Sequence, residues 1–183
     1  MWDLPIEINI DGQKHPINKK CDYRVVLNAI HFLNDVDLTN EEKIKCALVV
    51  FYEDVTKIRN FETAIKEMFR VINNGQLEES QEQKPLLMDW EHDFSQLAPP
   101  VSRVLGYDVR MPDKYTHWYT FLGGYQEIGS ECSFANIVSI RNKKAKGKKL
   151  EKWEQEFYKE NRKLIDLPHK LTAEEQEFLD SDW

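Results

Sequence analysis

The sequence predicts a mainly α protein with an N-terminal β-hairpin (α+β), a multi-helix bundle in two halves, and three observations carry that reading. The opening residues alternate with period two, Ile6, Ile8 and Ile10 against Glu7 and Asn9, and run into Asp11-Gly12. From Val26 onward the apolar residues recur every three or four positions instead, the spacing of one helix face. Residues 76–84 then hold one apolar residue in nine, too few to offset the entropy of ordering them, so they divide the helical pattern as a mobile linker or loop.

Alternation ending in Asp-Gly signals a two-residue hairpin turn, because both central positions of a type I′ turn need positive φ. The hairpin is expected over roughly 4–18 and must lie on the helices, since two strands alone are marginal in water. Val26, Ala29, Ile30 and Leu33 share a face that ends at Asn34-Asp35. Thr39-Asn40-Glu41-Glu42 is a capping box, in which hydroxyl and carboxylate each satisfy a backbone N–H of the other residue. The helix it opens carries Ile44, Leu48, Phe51, Val55 and Ile58, and its centre from Cys46 to Tyr52 is apolar nearly all round. It is expected to be the central core helix. Phe61, Ile65, Met68 and Ile72 mark another helix, stopped at Asn73-Asn74-Gly75 by a left-handed residue.

The second half restarts with Leu87, Trp90, Phe94, Leu97, Val101 and Val104 on one face, interrupted by Pro99-Pro100. Proline in a helix interior costs about 3 kcal/mol, so a kink or break is expected near 98–100, with Val101 to Leu105 as a separate piece. Trp118, Phe121, Leu122, Tyr125 and Ile128 form the next stripe, ended by Gly129. Phe134, Ile137 and Val138 predict a short helix, and Leu150, Trp153, Phe157 and Leu164 a longer one ending at Leu167-Pro168. Thr172 with Glu175 predicts the cap of an acidic tail helix. The organisation is therefore a hairpin with helices over 1–75, the linker over 76–84, a helical half over 85–168 and the tail helix over 169–183.

Composition narrows the function. The 183 residues suit one ordinary domain or two small ones, and 41% hydrophobic residues suffice for a core. No window approaches eighteen apolar residues, and Met1 to Pro5 lacks a basic start and apolar run, so neither a membrane span nor a secretory signal is expected. Cys21, Cys46 and Cys132 stand singly, as in a reducing cytoplasm. The formal charge of −7 weighs against nucleic acid as the main partner.

Motifs for chemistry are absent from the sequence. No CxxC or HExxH occurs, and Glu91-His92-Asp93 are consecutive, so on a helix they point about 100° apart and cannot close on one ion. Gly123-Gly124 and Gly129 do not space as a phosphate loop, and there is no GxSxG. No catalytic, cofactor-binding or metal-binding residue is assigned, and a non-enzymatic protein is expected. The basic run Arg141, Lys143, Lys144, Lys146, Lys148 and Lys149 reads either as phosphate-neutralising or as a solvated loop between helices. Trp118 beside Tyr119, and Phe157 beside Tyr158, put bulky rings on adjacent helix faces. Large aromatics at helical spacing usually belong to the core, the stronger reading for Trp118, but one ring of each pair is left less buried, so Trp118, Tyr119, Tyr125 and Tyr158 are the candidate protein-interaction residues.

The order of these pieces resembles the bacteriophage "gene product fifteen" proteins of Gram-positive siphophages and prophages. The resemblance rests on Ile8 to Gly12 with Pro16 to Asn18, Asp22 to Val25 and Leu38 to Ile44. It continues through Asp89-Trp90-Glu91-His92-Asp93-Phe94, Tyr107 to Arg110, His117 to Phe121, Phe134 to Arg141, Gly147 to Leu150 and Glu156-Phe157-Tyr158. Pro99-Pro100 and Tyr119 depart from the family pattern, where an unbroken helix and a second Trp are common. The resemblance implies a cytoplasmic tail assembly chaperone in the bacterial host that binds the tape measure protein, needs no cofactor, and gives way to tail tube subunits. Self-association stays open. The alternatives from the sequence are a nucleic-acid-binding accessory protein using 141–149 and a structural tail subunit.

Overall fold

A computed structural model of the chain describes residues 3–76 and 85–168. The linker expected over 76–84, beyond Gln76, and the tail helix expected from Thr172 lie outside the described residues. The described residues fall into two compact units, the first comprising 3–76 and Tyr115–Leu122, the second 85–114 and 123–168.

The first unit opens with β1 (Glu7–Ile10) and β2 (Gln13–Pro16), paired antiparallel with Ile8 opposite His15 and Ile10 opposite Gln13. The turn has the positive φ expected of it, 51° at Asp11 and 83° at Gly12, the pair of left-handed residues that a type I′ turn requires. Ile8 and Ile10 are buried. Ile6, expected beside them, precedes the strand and is 44% exposed.

Three helices complete this unit: α1 (Tyr23–Leu33), α2 (Asn40–Phe51) and α3 (Phe61–Ile72). The Thr39–Glu42 capping box opens α2 as expected, an arrangement worth about 1 kcal/mol. α1 packs on α2, and β1 lies against α3. The Asn60 side chain, which caps α3 by accepting from Thr63 N, also donates to the Asp11 carboxylate and so ties the hairpin turn to the helix start. α3 ends with Asn74 in the left-handed region, its N–H bonded to Val71 O while that of Gly75 bonds to Arg70 O. This is the double bond of a Schellman cap.

The structure corrects two expectations about α2. The helix does not continue through Val55 and Ile58: Tyr52 turns extended, bridges to Ile17, and sends its hydroxyl to Ala64 O at 2.9 Å, while Val55–Lys57 is a separate 3-10 turn. Long-range partners for Tyr52 outweigh the continued helical spacing. Nor is α2 buried all round, for Val49 is 58% exposed.

The second unit holds α4 (Trp90–Leu105), α6 (Ser133–Ala145), α7 (Lys152–Glu160) and α8 (Arg162–Ile165). The intervening α5 (Trp118–Gln126) starts in the first unit and ends in the second. α4 is unbroken, against the kink or break expected at Pro99-Pro100. Each proline deprives the carbonyl four residues earlier, on Ser95 and Gln96, of a donor. Ser95 is exposed and Gln96 lines an open cleft of about 400 Å³, so solvent can serve both carbonyls. Burial of Leu97, Ala98, Pro100 and Val101 holds the helix together.

The short helix expected at Phe134 is longer, since α6 runs through Arg141 to Ala145 and absorbs half of the basic run. The longer helix expected from Leu150 to Leu164 is instead α7 and α8, separated at Asn161. Ile137, Ile140 and Ile165 form the core between α6 and α8, with Leu150, Phe157, Tyr158 and Leu164 packed around it. No helix among the described residues is long and apolar enough to cross a membrane.

Segment 115–122 is the main departure from a division at 76–84, which places it in the second half. Asp22 is the reason. Its carboxylate caps α1 by accepting from Arg24 N at 3.0 Å and also accepts from Thr116 N at 3.1 Å. Tyr23 N donates to Thr116 O and Trp118 N to Cys21 O, both at 2.9 Å, while Tyr115 Oη donates to Lys20 O at 2.8 Å. A short two-strand contact, unseen in any periodicity, fastens this segment to the first unit.

Candidate interaction surfaces

The basic run does not form one patch. Arg141 is only 6% exposed, and each of its guanidinium nitrogens is engaged. Nη1 and Nη2 grip both oxygens of the buried Asp93 at 2.6 and 2.8 Å, and the remaining donors reach the carbonyls of Leu87, Leu164 and Ile165. Asp93 also accepts from Asp89 N, so neither partner is left short of hydrogen bonds. Planar, bidentate geometry of this kind is what Arg offers and Lys does not. Its place in the basic run is therefore corrected: Arg141 is an internal tie between α4, α6 and α8.

Lys143 and Lys144 are also engaged. Lys143 donates to Glu154 at 2.7 Å, which holds that carboxylate below the usual range, and Lys144 pairs with Asp166 and sits 3.9 Å from the centre of the Tyr158 ring. Lys146, Lys148 and Lys149 are exposed and have no carboxylate partner among the described residues. Their display has a local cause. Gly147, with φ of 63°, ends α6 in a Schellman cap in which Gly147 N bonds to Lys144 O and Lys148 N to Lys143 O. The three lysines thus gather at the C-terminal end of α6, where the helix dipole favours positive charge.

The aromatic candidates are likewise occupied. Trp118 is 1% exposed, stacks on Phe121 with centroids 5.9 Å apart, and donates Nε1–H to Ile72 O at 3.0 Å. It is a core residue, the reading its helical spacing favours, and this corrects its place among the interface anchors. Tyr119 is half-buried in the first unit, edge-on to His117 at 5.4 Å. In the second unit Tyr125 is half-buried edge-on to Trp90, also at 5.4 Å, and Tyr158 gives its hydroxyl to Asp166 at 2.8 Å.

Other side chains take the exposed places. Trp153 is 49% exposed although the spacing puts it on the buried stripe of α7. Glu154 explains the inversion: it is 1% exposed because Lys143 and the Glu151 N–H draw its carboxylate inward, which turns the preceding residue outward. The Glu151 to Glu154 spacing of that cap is visible in sequence and is the signal that could have found Trp153. Phe61, Val49 and Tyr115 on the first unit, and Leu86, Val104 and Met111 on the second, are exposed by two-fifths or more.

Chemistry beyond binding finds little to work with. The described residues contain no group of three His, Cys, Asp or Glu placed to hold a metal ion. Burial pushes the Cys21 thiol up to about 12, which keeps it from acting as a thiolate near neutral pH. His117 is buried with both ring nitrogens used: Nδ1 accepts from Tyr119 N and Nε2–H donates to Pro5 O, each at 3.0 Å. Burial lowers its pKa, against the opposing pull of the Pro5 carbonyl and Asp22.

Burial of a neutral His117 fixes the sign of a pH dependence. As pH falls below about 6.5, the unfolded chain takes up a proton on His117 before the folded one does, so stability drops until the lowered folded value is passed. Urea unfolding at pH 7.5 and 5.5 is expected to show this loss in the wild type and a smaller one in His117→Asn. Equal losses would remove His117 as the cause.

Among known proteins, a family model described as Bacteriophage Gp15 protein matches residues 1–167. No curated protein and no solved structure matches the chain.

Proposed function

Because the chain belongs to the bacteriophage Gp15 family, whose members are phage structural or assembly proteins, we propose that it is a non-enzymatic tail assembly chaperone. It works in the cytoplasm of the bacterial host, where it binds the tape measure protein and keeps it soluble until tail tube subunits polymerise and displace it. The observation that supports this most is the placement of large apolar side chains, Trp153, Phe61, Val49 and Leu86, at exposed positions while the buried side-chain polar atoms of the described residues are all hydrogen-bonded.

A tape measure is a long helix-rich chain whose apolar faces aggregate if left uncovered. Covering it needs many weak, separate contacts rather than one deep pocket, so that polymerisation can strip the cover away. Scattered exposed aromatics and aliphatics flanked by charge provide such contacts. The nucleic-acid alternative keeps only Lys146, Lys148 and Lys149, since the other cations of the run hold carboxylates of the same chain.

Co-expression with the tape measure protein of the same phage, and size-exclusion chromatography with mass determination, test the reading. The expected product is a soluble complex with many copies of this chain per tape measure. Trp153→Glu and Phe61→Glu, both at exposed positions, are expected to lower the copy number without changing the melting temperature of the free protein. A tape measure that stays insoluble while this chain elutes alone would sink the proposal.

A further inference from the structure

The hairpin of the first unit has one open edge. Ile17 N donates to Ile6 O at 2.9 Å, and in the register that sets Glu7 opposite Pro16 these two residues face each other. The directly bonded pairs are therefore 6–17, 8–15 and 10–13, and the residues between them aim N–H and C=O away from the opposite strand. On β1 those residues are Glu7 and Asn9, and none of their four backbone groups has a partner among the described residues. The far edge of β2 is closed by contrast, since Pro16 has no N–H and its carbonyl accepts from Glu53 N at 3.1 Å. An unpaired strand edge is a template for another strand.

We propose that the edge of β1 pairs with the same edge of a second copy of this chain, antiparallel about a two-fold axis at Ile8. In that register the edge complements itself. Glu7 of each copy meets Asn9 of the other, so their outward groups close four backbone hydrogen bonds. On the exposed face a carboxylate then stands beside an amide twice, a favourable cross-strand pair. Lys14 already holds Oε1 of Glu7, which leaves Oε2 to accept from the Asn9 amide. An axis at Glu7 would set two carboxylates against each other, and one at Asn9 would set Glu7 against Asp11. On the other face Ile6, 44% exposed in the single chain, comes to lie across from Ile10 of the second copy. The ladder has a fixed length: Pro5 lacks an N–H and its carbonyl is taken by His117, while Asp11 belongs to the turn. This contact between copies does not rest on the chaperone reading.

The full chain alone supplies the test. Sedimentation equilibrium is expected to show a dimer whose share rises over about a hundredfold range of concentration, as mass action requires. Over the same range amide exchange at Glu7 and Asn9, followed by NMR, should slow severalfold, while that of Lys14 on the far edge stays constant. Asn9→Pro removes only an outward N–H, a change edge strands tolerate, and should abolish the dimer. Asn9→Lys, opposite Glu7 of the second copy, should tighten it severalfold and Asn9→Glu loosen it severalfold. The same two charges at exposed Asn40 on α2 should leave it nearly unchanged. These charge variants carry the test if the proline variant does not fold. A chain that stays monomeric throughout, or a dimer indifferent to every Asn9 variant, overturns the proposal. Protection of Glu7 and Asn9 that appears only when the tape measure protein is added also overturns it, because the edge then takes a strand of another protein.

Discussion

Replacing Arg141 by alanine is expected to lower the stability of the second unit by about 3–5 kcal/mol, because Asp93 is left buried and charged with its counter-ion gone. Three backbone carbonyls, of Leu87, Leu164 and Ile165, lose their donor in the same step. Lysine is a poor substitute, since one ammonium cannot hold both Asp93 oxygens and still reach all three carbonyls. The double variant Asp93→Ala with Arg141→Ala should cost less than the sum of its parts, as the stranded charge is removed. Urea midpoints measured by circular dichroism check the series. An Arg141→Ala protein that unfolds within about 0.5 kcal/mol of wild type would mean that the ion pair is not a structural tie.

Trp118→Ala should be the other severe substitution. Truncating a fully buried indole costs about 3–5 kcal/mol through lost burial and the cavity left behind, and it strands the Ile72 carbonyl. The damage falls on the first unit, where Trp118, Phe121 and Tyr23 stack in sequence, the last two with centroids 4.3 Å apart and planes 6° off parallel. Trp118→Phe should retain much of the packing and lose the hydrogen bond. The pair of variants separates core from interface directly. A core tryptophan lowers the unfolding midpoint, whereas an interface anchor leaves the midpoint alone and weakens the proposed binding to the tape measure protein.

Legibility in the sequence tracks how local each cause is. The type I′ turn at Asp11-Gly12, the Thr39–Glu42 box and the Asn74 cap depend on residues within a few positions, and each stands where the spacing puts it. The unbroken α4 is not legible, because whether Pro99 and Pro100 are tolerated depends on solvent reaching Ser95 and Gln96 and on burial of the residues between and beyond them. Arg141 reads as part of a basic run, since the carboxylate it serves lies 48 positions away. Trp118 reads as core by its helical spacing, and only its adjacency to Tyr119 offers it as an anchor; the Ile72 carbonyl that takes its indole N–H is 46 positions distant and cannot be read from that spacing. At the surface, Lys146, Lys148 and Lys149 are legible as a charged exposed group. Trp153 is hidden by its own periodicity, which a buried Glu154 overrides.

Strand-like pairing of Cys21 and Asp22 with residues 116–118 sets an order of events during synthesis. A nascent chain that has emerged as far as residue 76 carries the hairpin and α1 to α3 but lacks the buried Trp118, which bonds to Ile72 O, and the buried Phe121, which stacks on Tyr23. At about 5–20 residues per second the wait for those side chains lasts a few seconds. In that interval the Asp22 carboxylate has Arg24 but not Thr116, and the ring of Tyr23 has no Phe121 to stack on. The first unit is therefore completed only after the stretch from 85 to 114 has been made, and a gene truncated before codon 115 encodes α1 and α3 without the partners that Thr116, Trp118 and Phe121 supply to Asp22, Ile72 and Tyr23.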